Sequence, residues 1–316
     1  MKHKYQKIAF LFPGQGAQYV GMGKDFIAAF PTARQTFQEA DDILNRNLTN
    51  IIVEGPEDVL TETRNSQTGI YVTSIALLRV LKELFPILIP SYCAGLSLGE
   101  YSALHASNRI TYADGLSIVQ HRGQFMNDAC EMTRGTMAVI LGMDADAVET
   151  LVKEVNLPRE LWVANFNCPG QVVISGTIKG IEAGTAAAKA KGAKRVLPLQ
   201  VYGAFHSGLM QKAEERLAPY IHEAAIQDSS IELVMNVVGA QVKDLGQIRN
   251  NLIKQVTHSV RWEQGVRHMV SSGVDLFIEI GCGKALTGFN KRIGVTAPTW
   301  SLEKIEDLKA IEGYLA

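Results

Sequence analysis

"SYCAGLSLGEYSALHAS", residues 91–107, is the segment on which the fold turns. A short apolar run, Ser91–Gly95, passes directly into a helical pattern, Leu98–Ser107, and Ser97 stands between Gly95 and Gly99. A buried strand that bends sharply into a helix can present a serine hydroxyl at its tip, provided small residues flank the bend. The helix beyond then offers unpaired backbone N–H groups and a positive dipole end to a developing oxyanion. The same residues also fit a serine that merely caps a helix, with Glu100 as its capping-box partner. A nucleophile needs a base and a substrate-holding group elsewhere in the chain; a cap needs neither.

Strands alternate with helices on both sides of this segment. "KIAFLFPGQG" (7–16) reads as a buried strand stopped by a Gly-rich turn. Helical patterns follow at about 20–30 and 34–45, then a long helix over 68–85 ended by Pro86, and another helix over 112–129. The texture then changes. Strands at 136–142, 161–166, 171–176 and 194–201 are interleaved with helices at 144–155, N-capped by Asp144, and 180–192. The order β-α-β-β-α-β is that of a ferredoxin-like unit. Downstream come helices at 207–224, 245–256 and 260–271, strands at 231–239 and 275–281, and a helix from about Gly283. This arrangement predicts an α/β fold with a mainly parallel sheet covered on both faces, formed by residues 1–131 and 202–316, and an inserted small subdomain at 132–201.

The 316 residues are 47% hydrophobic with a formal net charge of −1. That supports a substantial core and gives neither a basic footprint for nucleic acid nor a polybasic patch for lipid. The apolar stretches are too short or interrupted to span a bilayer, and the basic start at residues 1–5 lacks the apolar core of a signal peptide. Cys93, Cys130, Cys168 and Cys282 show no C-x-x-C or zinc spacing and read as reduced thiols in a cytosol-like compartment, with no metal site.

Of seven histidines, His3 lies in the terminal segment. His105, His121, His222, His258 and His268 fall in helical contexts. His206 differs: it follows a strand and the "GAF" turn and precedes Ser207, a good N-cap, so it sits at the strand-to-helix edge where open α/β sheets hold ligands. A structural loop histidine is the alternative. On a helical wheel of residues 116–129, Arg122 falls inside the apolar arc of Ile118, Val119, Phe125, Met126 and Ala129. A buried guanidinium must be paired, either with a protein carboxylate or with a substrate anion.

With these residues together, the chain resembles the malonyl-CoA:acyl-carrier-protein transacylases. The resemblance runs from "FPGQGAQ" (12–18) to "GKALTGFNKRI" (283–293), through "GLSLGEYSAL", "HRGQFM", "NFNCPGQVVISG", "GAKRVLPLQVYGAFHS" and "VRW". It implies an α/β-hydrolase-like large subdomain with a ferredoxin-like insert, and malonyl transfer from malonyl-CoA to the phosphopantetheine thiol of acyl carrier protein, for fatty-acid or polyketide synthesis. It implies a Ser97–His206 dyad, an oxyanion hole from the backbone N–H groups of Gln15 and Leu98, and Arg122 on the malonyl carboxylate. Gln67 and Gln171 match polar positions near the substrate, and Gln255 the position whose carbonyl orients the histidine. Phe205, in "GAFH", matches malonyl-selective relatives. No bound cofactor, a cytoplasmic or organelle-stroma location and a monomer are implied as well. Leu96 departs from the His that many relatives carry before the serine, so no role of that His transfers.

Two other readings remain. A serine hydrolase with the same elbow would take a late base, His258 or His268. A non-catalytic carrier-protein binding module would be expected to have lost Ser97, His206 or Arg122, and all three are present.

Overall fold

The computed structural model describes residues 5–201 and 203–315. His3 and position 202, inside the "GAKRVLPLQVYGAFHS" block, lie outside them. The chain begins with β1 (Ile8–Phe12), then α1 (Lys24–Ala29), α2 (Pro31–Leu44), α3 (Leu48–Glu54), α4 (Glu57–Thr61) and α5 (Thr63–Leu84). Next are β2 (Tyr92–Gly95), α6 (Gly99–Ala106) and α7 (Tyr112–Met132). β3 (Gly135–Leu141), α8 (Ala145–Val155), β4 (Leu161–Cys168), β5 (Gln171–Thr177), α9 (Ile178–Ala190) and β6 (Arg195–Pro198) follow. After a 3-10 turn at Gly208–Met210 come α10 (Gln211–Glu223), β7 (Glu232–Met235), β8 (Ala240–Val242), α11 (Leu245–Lys254) and α12 (Trp262–Ser271). The chain closes with β9 (Leu276–Ile280), α13 (Ala285–Ile293), β10 (Thr299–Leu302) and α14 (Ile305–Leu315).

The large sheet has the order β10-β9-β1-β2-β7-β8, parallel throughout except for β8, which pairs antiparallel with β7. Its central strands are buried along their whole length: every residue of β1, β2 and β9 is covered. Helices on both faces remove any solvent side, so these strands read as continuous apolar runs rather than alternating ones. Helix α5 is likewise buried almost all round, which explains its unbroken apolar sequence.

The small sheet has the order β4-β5-β3-β6, all antiparallel, the strand order of a ferredoxin-like unit. Strand periodicity divides its faces. Ala138 and Ile140 of β3 and Val172 and Ile174 of β5 join a separate core with Val148 and Leu151 of α8. Met137, Val139 and Val173 turn the other way, onto the main core. The edge of β4 is tied to the large unit by the backbone pairs Phe166 N–H to Val260 O and Val260 N–H to Ala164 O.

Several boundaries differ from the sequence reading. The run 231–239 is not one strand: β7 stops at Met235, and a turn through Gly239 (φ 61°) leads into β8. The strand expected over 194–201 covers only 195–198. Asp144 does occupy the N-cap of α8, but its side chain makes no capping hydrogen bond. α3, α4, β8, β10 and α14 were not anticipated; three of them are only three to five residues long, too short for a periodic signal.

Candidate active site

β1 and β2 run side by side in register, Phe12 beside Gly95, so the turn after β1 and the bend after β2 emerge together. Backbones meet closely here. A Cβ on Gly14 would lie 2.4 Å from the Leu96 carbonyl oxygen. One on Gly95 would lie 1.9 Å from the Gly99 carbonyl carbon, and one on Gly99 2.2 Å from the Phe12 oxygen. Both glycines of the Gly-x-Ser-x-Gly motif are therefore steric requirements of the bend. Between them Ser97 adopts φ 52°, the left-handed region that L residues avoid and that recurs at functional sites.

The capping alternative fails on geometry. The N-cap of α6 is Leu98, without a side-chain cap. Ser97 Oγ instead lies 2.8 Å from His206 Nε2. His206 also has a positive φ, 56°, and its Nδ1 lies 2.7 Å from the Gln255 carbonyl oxygen. A carbonyl only accepts, so Nδ1 carries the proton and Nε2 presents its lone pair to the serine. Burial, with the Arg122 cation adding to it, pulls the imidazole down to about 4, against an ordinary 6.5, so it is neutral at neutral pH.

Arg122 is 1% exposed. Its Nη1 donates to Gln67 Oε1 (2.5 Å), and its Nη2 to Gln255 Oε1 (2.9 Å) and Ser97 Oγ (3.2 Å). The Tyr101 ring lies 5.6 Å from the guanidinium carbon. All hydrogen-bond partners are neutral, and among the described residues no carboxylate forms an ion pair with it. Burial lowers the pKa of the guanidinium.

Ser97 and His206 open onto a cavity of about 260 Å³ between the two sheets. Gln15, Leu96, Met126 and Phe205 line it from the large unit, Asn165 and Asn167 from the small one. Arg122 does not line it and reaches its floor through Ser97 Oγ. A second cleft, of about 770 Å³, shares Gln15, Gly16 and Val201 with it and opens past Arg134 and Gln200. The backbone N–H groups of Gln15 and Leu98 donate no hydrogen bond among the described residues, the latter at the start of α6.

The structure thus brings together Ser97, His206, Arg122, Gln15, Leu98, Gln67, Phe205 and Gln255. It does not bring Gln171 to them: at the start of β5, its Oε1 accepts from Arg292 of α13, and it does not line the cavity. Asn165 and Asn167 of β4 hold that side instead. The late histidines of the hydrolase reading are elsewhere: exposed His258 bonds the Lys254 carbonyl, and His268 lies on α12. Leu96 adds apolar surface beside the serine.

A model of the acyl transferase domain family matches residues 9–291. The malonyl CoA-acyl carrier protein transacylase of Bacillus subtilis (strain 168) is 42% identical over 304 residues, 96% of this chain and 95% of the relative. This chain belongs to that family. The structure of the Coxiella burnetii malonyl CoA-acyl carrier protein transacylase superposes with a TM-score of 0.95 at 30% identity, covering 100% of both chains. A malonyl-transacylase solved in complex with a type II PKS acyl-carrier protein gives 0.93 at 36% identity, over 98% of this chain and 100% of that one.

Two residues in contact with this site are not picked out as site residues by the sequence. Asn236 accepts from the Ser97 N–H (2.6 Å) and donates to the Gly95 carbonyl (2.7 Å), clamping both sides of the bend. Glu100 is fully buried; burial raises its pKa, while the Asn236 N–H, the Gln255 amide and the Arg122 cation pull the other way, toward the charged form that accepts at both oxygens.

Proposed function

We propose that this chain transfers the malonyl group of malonyl-CoA to the phosphopantetheine thiol of acyl carrier protein through a malonyl ester on Ser97. His206 Nε2 takes the Ser97 hydroxyl proton as Oγ attacks the thioester carbon. The N–H groups of Gln15 and Leu98 stabilise the tetrahedral oxyanion. As the C–S bond breaks, His206 returns the proton to the CoA sulfur. The carrier thiol then attacks the ester, and the same proton movements run again in the second half-reaction. Gln255 holds His206 through its carbonyl, Gln67 holds Arg122, and Phe205 narrows the acyl pocket.

The observation that carries this reading is a buried guanidinium with only neutral partners, 3.2 Å from the serine oxygen. Such a cation calls for an anion, and malonate's free carboxylate supplies one within reach of the ester. Residues 1–131 with 202–316 form the large subdomain in this account and residues 132–201 the small one, with the acyl chain bound between them. The reaction needs no metal or redox group, the prosthetic group arriving on the carrier. A monomer in the cytoplasm, or in an equivalent organelle stroma, serving fatty-acid or polyketide synthesis completes the reading. Among the described residues no helix is long and apolar enough to cross a membrane.

The test is intact mass after brief exposure to malonyl-CoA. The wild type gains one malonyl group with release of CoA, and Ser97→Ala gains none. A malonyl adduct on the alanine variant at the wild-type rate refutes the nucleophile.

A further inference from the structure

Glu100 is 0% exposed, in the first turn of α6 directly after the bend. Its carboxylate bonds no backbone N–H of its own helix. Oε1 accepts from the Asn236 N–H (2.6 Å) and Oε2 from Gln255 Nε2 (2.7 Å). Neither is an ion pair, and both lead straight to the reacting groups.

We propose that Glu100 is a positioning residue: through the Gln255 amide it sets the orientation of the Arg122 guanidinium, and through Asn236 it holds the Ser97 bend. The argument rests on the donor and acceptor ends of one amide. Gln255 Nε2 has two protons, and both are used, one on Glu100 Oε2 and one on the Ser97 carbonyl oxygen, each at 2.7 Å. That leaves Oε1 facing Arg122 Nη2 at 2.9 Å. With the amide turned over, its oxygen would meet two acceptors and its NH2 group a cation. Glu100, accepting from one end, thereby selects the orientation that gives Arg122 an acceptor. The main chain of the same residue anchors His206. On the other side, Glu100 fixes Asn236, whose side chain spans the Ser97 N–H and the Gly95 carbonyl. A buried carboxylate satisfied by donors from two distant segments is costly to assemble and has no partner in its own helix, which a purely local structural role would not require.

This inference rests on the reading of Arg122 given above, and the experiment separates the two. Glu100→Gln keeps the shape but must turn an NH2 group against either the Asn236 N–H or Gln255 Nε2, donor to donor. Initial loading rates with malonyl-CoA and acetyl-CoA are measured for wild type, Glu100→Gln and Arg122→Ala. Glu100→Gln should raise KM for malonyl-CoA about tenfold, lower kcat less than that, and reduce the malonyl-over-acetyl preference about tenfold. A residue that only supported the fold would lower the active fraction, cutting both substrates equally at constant KM. That result, or no change, overturns the proposal. If Arg122→Ala loses the preference while Glu100→Gln keeps it, the Glu100 proposal alone falls; if both keep it, both readings fall. Should Glu100→Gln not fold, Glu100→Asp draws the carboxylate back from Gln255 and must show a smaller loss of preference; an unchanged preference there overturns the proposal equally.

Discussion

Two arginines, Arg109 and Arg122, are each 1% exposed, and they are the largest fully buried side chains among the described residues. Each leaves its Nε without a partner. Their other contacts differ in kind. Arg109 donates to the carbonyls of Gln227, Ser229 and Ile231 and pairs with Asp228 at 3.3 Å, fastening the segment that leads into β7. Arg122 finds two amide side chains and the hydroxyl of Ser97. Backbone carbonyls and a carboxylate complete a structural clamp. Arg122's direct acceptors are neutral, and the Glu100 carboxylate acts on its charge only from behind Gln255, so among the described residues no ion pair closes on the guanidinium. Burial alone therefore does not mark a functional arginine; the chemistry of its acceptors does.

The largest expected effect separating the two concerns the histidine that Arg122 touches electrostatically and Arg109 does not. His206→Ala should slow malonyl loading by roughly 10²–10⁴-fold, the usual loss of a general base. In the wild type, kcat/KM should hold as pH falls from neutrality and decline only near 4, where the free enzyme's His206 gains its proton. Arg122→Ala should move that acid limb upward, because one of the two causes of the lowered value is removed; Arg109→Ala should leave it in place. Profiles of kcat/KM for acetyl-CoA in the three proteins check this. The sign for stability is the same. Between the ordinary 6.5 and about 4 the unfolded chain binds a proton that the native state does not, so stability falls as pH drops through that window. Next in size, Arg109→Ala should cost about 1–3 kcal/mol of stability by leaving buried carbonyls unpaired, read from urea unfolding, with no change in substrate preference. Smallest, Phe205→Ser should raise methylmalonyl loading relative to malonyl by about tenfold, since a methyl-sized misfit is worth only ~1–3 kcal/mol, and should leave acetyl rejection intact.

Much of the site was legible because local pattern and chemistry coincided. Gly95, Ser97 and Gly99 sit at a strand-to-helix change, His206 follows a strand, and Arg122 interrupts an apolar arc. What escaped depends on partners remote in sequence. Asn236 meets Ser97 across 139 residues, and Gln255 meets Glu100 across 155, so no local window contains either pair. Gln171 illustrates the converse: its motif was legible, but its side chain accepts from Arg292, 121 residues away, and does not line the cavity. The architecture was read more fully than its edges. The two sheets and the ferredoxin-like order follow from periodicity, whereas β8 and β10 are edge strands of three and four residues.

The central claim is that Arg122 is kept for a substrate carboxylate, and the ratio of malonyl-CoA to acetyl-CoA loading rates in Arg122→Ala tests it most directly. Malonyl loading should fall roughly 10²-fold, the scale of losing a charge-assisted pair in a buried site, while acetyl loading changes little or rises, so the ratio collapses. A ratio held at the wild-type value would make Arg122 a second structural clamp like Arg109 and would contradict the account.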